Sequence, residues 1–310
     1  MSKERNWKKF RVFAVVAAVG VTLIVIALAL LGRLPLGPST SLQTTLEIKE
    51  KSSHIVAAMR IKLHASAEAE KSAVLAITDQ ASQEFADKAK SASASVEQDR
   101  LELAELIGKG GSPAARDLFN EFNTGWKTFQ EIDSVLLPMA VQNTNLKAYD
   151  LAFGQAAQAM SQFDEALGSV VDANGATTIA ADTIRVSFHA LVAAHGIQAL
   201  QPPHIAESSD QKMDQIEAQM NARNETVIDA LSRLKILTAA AGMPSVEAAR
   251  VAYESFWRTN SDILRLSREN SNVRSLALSL GRKRVVTAQC ADVLAALQTT
   301  IDTSTFRATR

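Results

Sequence analysis

From Ser39 to Ile107 the chain contains neither glycine nor proline. A run of that length lacks the residues that punctuate turns and hairpins. It is filled with Ala, Glu, Lys, Leu and Gln, which are good helix formers. It therefore predicts one long helix, or two joined by a turn that no breaker residue marks. Strands have no foothold in it. Gly108-Lys109-Gly110-Gly111-Ser112-Pro113 ends the run, and Pro113 suits the first turn of the next helix. The glycine cluster resembles a phosphate-binding loop only superficially, because its spacing is wrong and the preceding segment is helical.

Beyond this point apolar residues step by three and four, the spacing of one helical face. One stripe reads Phe119, Phe122, Trp126, Phe129, Asp133, Leu136 and Ala140, and the next reads Leu146, Tyr149, Phe153, Ala156, Met160, Phe163, Leu167 and Val170. Asn174-Gly175 breaks the chain before a helix carrying Ile184, Phe188 and Leu191. That helix is interrupted at Pro202-Pro203, resumes from Met213 to Leu237 and stops at Gly242-Met243-Pro244.

The chain also repeats itself. Asn143-Thr-Asn145-Leu-Lys-Ala-Tyr-Asp-Leu151-Ala-Phe-Gly154 matches Asn270-Ser-Asn272-Val-Arg-Ser-Leu-Ala-Leu278-Ser-Leu-Gly281 at an offset of 127. An aromatic helix following a Gly/Pro stop precedes each copy. Two related halves result, about 40–172 and 173–304, each reading long helix, short helix, short helix. An unbroken helix of about 65 residues would be about 100 Å long, over twice the length of its short neighbours. The expected architecture is therefore all-α, with two stacked four-helix bundles sharing long helices.

Val12–Gly32 has no charge and is long enough to span a bilayer core. Five basic residues precede it and Arg33 follows. The positive-inside rule then makes residues 1–11 a cytoplasmic stub, 12–32 a transmembrane helix, and 34–305 an extracytoplasmic domain with a tail at 306–310. A cleaved signal peptide is the rival, since Ala27-Leu28-Ala29 resembles a cleavage site, but Leu30 and Leu31 continue the apolar run past it. The formal net charge of zero divides into this basic stub and a body with 27 basic and 32 acidic residues. Such a body lacks the electrostatic footprint of a nucleic-acid binder. The single cysteine, Cys290, cannot form an intramolecular disulfide.

The basic stub, one membrane helix, the long helical body and the Asn143-Thr-Asn145-Leu-Lys-Ala motif with its echo together resemble the sensor half of a methyl-accepting chemotaxis receptor. Among those receptors the layout is similar to the helical bimodular sensor domain. The resemblance covers residues 1 to about 305. It implies a periplasmic or extracellular domain on the cell membrane, recognition of a small organic acid, homodimerisation, and a role in chemotaxis or signal transduction. Such receptors continue into a second membrane helix, a HAMP linker and a cytoplasmic signalling domain, none of which appears up to Arg310. Lateral signalling to intact chemoreceptors is one way around that departure.

Polar residues that interrupt core stripes are the candidate ligand contacts. They are Arg60, Arg223, Asn260, Lys283 and Thr287. With unbroken long helices, all five stand about 22–29 Å above the membrane-proximal end. Three cations, an amide and a hydroxyl in one layer would hold a carboxylate. The bland alternative is that each cation snorkels along its neighbours to water, leaving an inert or partner-binding helical scaffold. No metal pair is expected, because His189 and His195 lack i,i+4 spacing and His54, His64 and His204 lack a carboxylate at ligand spacing. Cys290, Trp126 and Trp257 read as core residues, and Trp7 as an interfacial anchor. No catalytic triad, carboxylate pair or nucleotide loop can be placed, so neither an enzyme nor a cofactor is expected.

Overall fold

The computed structural model describes residues 39–174 and 180–304. They are all-α, with no strand among the described residues. The predicted membrane span 12–32, with Trp7, lies outside them; none of the described helices is long and apolar enough to cross a membrane. Two units divide the chain, residues 1–54 and 55–310. Within the first, the described residues are helical from Ser39. The second holds everything that follows.

In chain order the helices are α1 (Ser39–Leu75), α2 (Asp79–Gly110), α3 (Pro113–Ala140), α4 (Thr144–Leu151) and α5 (Ala157–Asn174) in the first half. The second half carries α6 (Ala180–Gln198), α7 (Gln201–Ala206), α8 (Asp210–Leu237), α9 (Met243–Glu269), α10 (Ser271–Leu278) and α11 (Arg284–Thr303). The long first helix expected from the Gly/Pro-free run is instead a hairpin. Thr78 adopts an extended backbone and its hydroxyl accepts from the Ala81 N–H at 3.2 Å, starting α2 with Asp79 in its first turn. A side-chain cap thus does what no glycine or proline was present to do. Ser66 on α1 then donates to the Ala89 carbonyl of α2 at 3.1 Å, and Lys62 pairs with Asp99 at 2.7 Å, so the two helices run antiparallel. Neither half keeps a shared long helix, because α6 likewise ends before α7 and α8.

The 127-residue repeat is visible in the backbone. Asn143 and Asn270 both take the left-handed conformation (φ 51° and 53°) and each precedes an eight-residue helix. Asparagine tolerates that region because its short amide bonds locally; here the Asn143 amide donates to Asp79 and Ser82, and that of Asn270 to the Glu207 carbonyl. A single π-helical turn follows in each half, at Ala152–Ala156 and Ser279–Lys283. The wider turn resets the inward stripe to steps of four. Ala148, Ala152 and Ala156 are buried in one copy and Ser275, Ser279 and Lys283 in the other. The expected stripe is off by one residue at Phe153, which is 70% exposed, and its counterpart Leu280 is 55% exposed.

The starts of α4 and α10 meet in a reciprocal clasp. Thr144 N–H donates to Ser271 Oγ and Ser271 N–H to Thr144 Oγ1, both at 3.0 Å. Asn145 and Asn272 exchange amide-to-side-chain bonds in the same way, both at 3.1 Å. Each short helix thereby caps the other's free N–H groups. On one side of this clasp α3 packs against α2, α10 and α11; on the other, α4 and α5 pack along α9, and α6 along α8. Helices from one half therefore complete the packing of the other.

Candidate functional site

Two cavities in the second unit are lined by polar or charged side chains, and the repeat bears on both. The first is a cavity of about 670 Å³ between α8 and α9. These helices touch less extensively than the tight pairs α6/α8 and α5/α9. Val246 on the cavity wall occupies the position held in the other half by Phe119, a ring filling its own core. The smaller side chain leaves room. Tyr253 and Trp257 supply aromatic surface, and the Tyr253 hydroxyl donates to Asn224 Oδ1 at 2.7 Å. Burial raises the Tyr253 pKa, so the phenol stays neutral.

Charge at the rim is unevenly matched. Arg250 forms ion pairs with both Glu247 and Glu254. Arg258, which also lines the cavity, has no hydrogen bond or ion pair with the described residues. A space of this size with apolar and aromatic walls and one uncommitted guanidinium suits a small molecule bearing an anionic group.

The second place is a buried charge cluster around Lys283. Its Nζ donates to Asp133 Oδ1 at 2.5 Å and to the Phe129 carbonyl at 3.3 Å, and lies over the Phe129 ring. Burial pushes Lys283 down to about 8, against the opposing pull of Asp133. It pushes Asp133 up, against Lys283. Glu70, 1% exposed, joins from α1; burial raises its pKa, while a bond from Ser279 and the Lys283 charge oppose that rise. Glu70 Oε1 meets no donor. Glu70, Lys283 and Thr287 line a cavity of about 200 Å³ with His64, Lys71 and Arg284.

The five expected contacts do not converge. Lys283 and Thr287 share the smaller cavity, where the Thr287 hydroxyl is committed to the Lys283 carbonyl at 2.8 Å. Arg60 is half-buried on α1 with its Nε unpartnered, and it does not line that cavity. Arg223 and Asn260 belong to the other helix group. The Arg223 guanidinium lies against Gly196 of α6, where any Cβ would collide with it. Asn260 accepts from Gln201 at 2.9 Å and approaches Met220 Sδ. A common layer required all these helices to share one bundle; with the chain folded back at 76–78, Arg60, Lys283 and Thr287 fall in one helix group and Arg223 and Asn260 in the other. Nor is there an excess of buried cation, since Lys283 has its acid within the chain. Trp257, expected in the core, is half-buried on the larger cavity, whereas Trp126 and Cys290 are buried as expected. Burial pushes the Cys290 thiol up to about 11.

Besides Tyr253 and Arg258 at the larger cavity and Arg284 at the smaller, Glu70 and Asp133 are not among the candidates the sequence yields. Asp133 was visible as an acid inside an otherwise apolar stripe; Glu70 carried no such mark. The fold also brings together Ser267, His204 and Glu217, with His204 Nδ1 2.8 Å from Ser267 Oγ and Nε2 2.8 Å from Glu217 Oε1. Ser267 and His204 are wholly buried and line neither cavity. Their role is a clasp between α7, α8 and α9, extended by the Arg268–Glu217 pair at 2.7 Å. Burial lowers the His204 pKa against the influence of Glu217. No cluster of potential metal ligands occurs among the described residues. No protein-family model matches the sequence, and no curated protein matches it.

Proposed function

We propose that this chain is the ligand-sensing part of a chemoreceptor-type transducer. In this reading residues 12–32 anchor it in the cell membrane and residues 34–305 lie outside. The body is read as two four-helix bundles placed end to end, one of α1, α2, α3 and α10–α11, the other of α4–α5, α6, α8 and α9. A small organic acid with an apolar or aromatic body occupies the α8/α9 cavity, its carboxylate held by Arg258. The single observation carrying this reading is that cavity, large enough for a metabolite and edged by Arg258, which no side chain of the described residues neutralises. Binding there would draw α8 and α9 together, and a helix displacement is a signal that a helical body can transmit. A homodimer would use the exposed apolar row Ile184, Phe188 and Val192 on α6.

The test is a thermal-shift screen of the full chain in mild detergent against mono-, di- and tricarboxylates. At an acid concentration one hundred times Kd, stabilisation should reach about 2.7 kcal/mol. Arg258→Ala should lose most of the shift. Val246→Phe, which restores the ring that the other half carries, should abolish the shift while leaving the unliganded melting temperature unchanged or higher. No stabilisation by any acid, or equal stabilisation in both variants, would refute the site.

A further inference from the structure

The Lys283 cluster has features that packing alone does not demand. At an offset of 127, the places of Glu70, Asp133 and Lys283 are taken in the other helix group by Ile197, Asn260 and Ala156, all wholly buried. The same backbone thus closes around apolar and neutral side chains. Around Lys283 it encloses two carboxyl groups and one ammonium. Three ionisable side chains are costly to bury, and the set is not self-sufficient: one acid exceeds the number of cations, and Glu70 Oε1 has no donor although Glu70 lines a cavity. A carboxylate oxygen buried without a partner is a vacancy for an N–H group.

The opposite requirement stands at the rim of the same cavity. Arg284 is exposed, lines the space and has no hydrogen bond or ion pair with the described residues. Lys71 beside it adds positive charge. One small space therefore offers an unpaired acceptor inside and an unpaired cation outside. Its volume, about 200 Å³, equals that of roughly six or seven liquid waters, which admits a molecule of a few heavy atoms.

We propose that the Glu70 cavity is a binding site for a small zwitterion, an α-amino acid with a short side chain, whose ammonium group donates to Glu70 Oε1 and whose carboxylate meets Arg284. The bound ammonium supplies the missing counter-charge to the second buried acid. This site is separate from the α8/α9 cavity and does not depend on it. It also reverses the ligand polarity that an isolated buried lysine suggests, because Asp133 already satisfies Lys283.

Isothermal titration calorimetry on the full chain in detergent tests it, with glycine, L-alanine and L-serine as zwitterions, and with methylammonium and acetate as the two separate ends. Saturable binding is expected for at least one zwitterion, with each separate end at least tenfold weaker. Glu70→Gln, which puts a donor or neutral acceptor where the ammonium would bond, should weaken binding by about tenfold to a hundredfold. Arg284→Ala should weaken it by several-fold, and Arg258→Ala should leave it unchanged. If Glu70→Gln misfolds by circular dichroism, Ala288→Phe at the cavity rim replaces it and should abolish binding while leaving the buried charges intact. Absence of saturable binding up to 20 mM for all three amino acids, an order-of-magnitude ceiling of about −2.3 kcal/mol, overturns the proposal. Binding unaffected by the Glu70 or rim variant, or methylammonium bound as well as the zwitterions, overturns it too.

Discussion

Replacing Lys283 by methionine keeps the unbranched stem against Phe129 and removes only the charge. Lys283 is 1% exposed and its Nζ has two oxygen partners, so the substitution strands Asp133 and Glu70 in the interior without a cation. Breaking a buried pair in this way costs about 3–5 kcal/mol. For a body of this size that lowers the melting temperature by about 6–20 °C. The carboxyl groups can escape part of this by taking up protons, as burial already raises both pKa values. The loss should therefore be smaller near pH 5 than near pH 7, and it should shrink again toward pH 8, where Lys283 itself gives up its proton. Removing all three charges together is a different experiment. Glu70→Ile, Asp133→Leu and Lys283→Met give apolar side chains of similar volume, with isoleucine chosen because Ile197 fills the corresponding place. Such replacement of a buried ionic cluster ranges from neutral to stabilising by about 1–4 kcal/mol. Urea unfolding followed by circular dichroism at 222 nm measures both variants. A single variant as stable as the parent, or a triple variant no better than the single, would refute the view that the acids depend on Lys283 and that the fold does not need the cluster.

Two further outcomes follow from the same geometry. Ser271→Ala removes the acceptor of the buried Thr144 N–H and should cost about 1–3 kcal/mol in urea unfolding, whereas Ser271→Thr, which copies the other half's residue, should cost much less. For Glu70 the sign of the pH effect is fixed by its raised pKa. The folded state holds the proton more tightly, so its contribution to stability is complete below the ordinary value of 4.5 and is lost as pH rises through the folded value. Glu70→Gln should therefore gain stability relative to the parent between pH 5 and pH 8, and a flat difference across that range would contradict the raised pKa.

The helical class and the duplication were legible because both are written in punctuation and periodicity, which survive without knowledge of packing. Asn143 and Asn270 marked the repeat and proved to be its two left-handed residues. Of the two readings that the Gly/Pro-free run allows, the turn at 76–78 realises the one with two helices; its position is marked not by a breaker residue but by a cap, Thr78 followed by Asp79. The phase error at Phe153 has another origin. A π-helical turn adds a residue, so a reading by threes and fours is out of phase within it and regains the buried stripe beyond, at Ala156, Met160 and Phe163. Lys283 was visible as an intruder in a stripe. Asp133 was equally visible, but that the two pair, and that Glu70 joins them, depends on how α1, α3 and α11 pack, which periodicity does not carry.

The duplication separates what the fold needs from what a site needs. The two halves share the left-handed asparagines, the π-helical turns and the reciprocal clasp, and they share an aromatic hydrogen bond as well. Trp126 Nε1 donates to Glu97 at 2.8 Å where Tyr253 donates to Asn224 at 2.7 Å. Positions alike in both halves serve the backbone and its packing. The differences fall at the two cavities: Val246 stands for Phe119 at the larger one, and Glu70, Asp133 and Lys283 stand where the other helix group has Ile197, Asn260 and Ala156. A scaffold without ligands would have no reason to enlarge one cavity and charge the other, since the first forfeits packing contacts and the second adds desolvation cost. These two departures, lying in different helix groups, are therefore where binding energy would be returned, and each can be abolished by restoring the residues of its own counterpart.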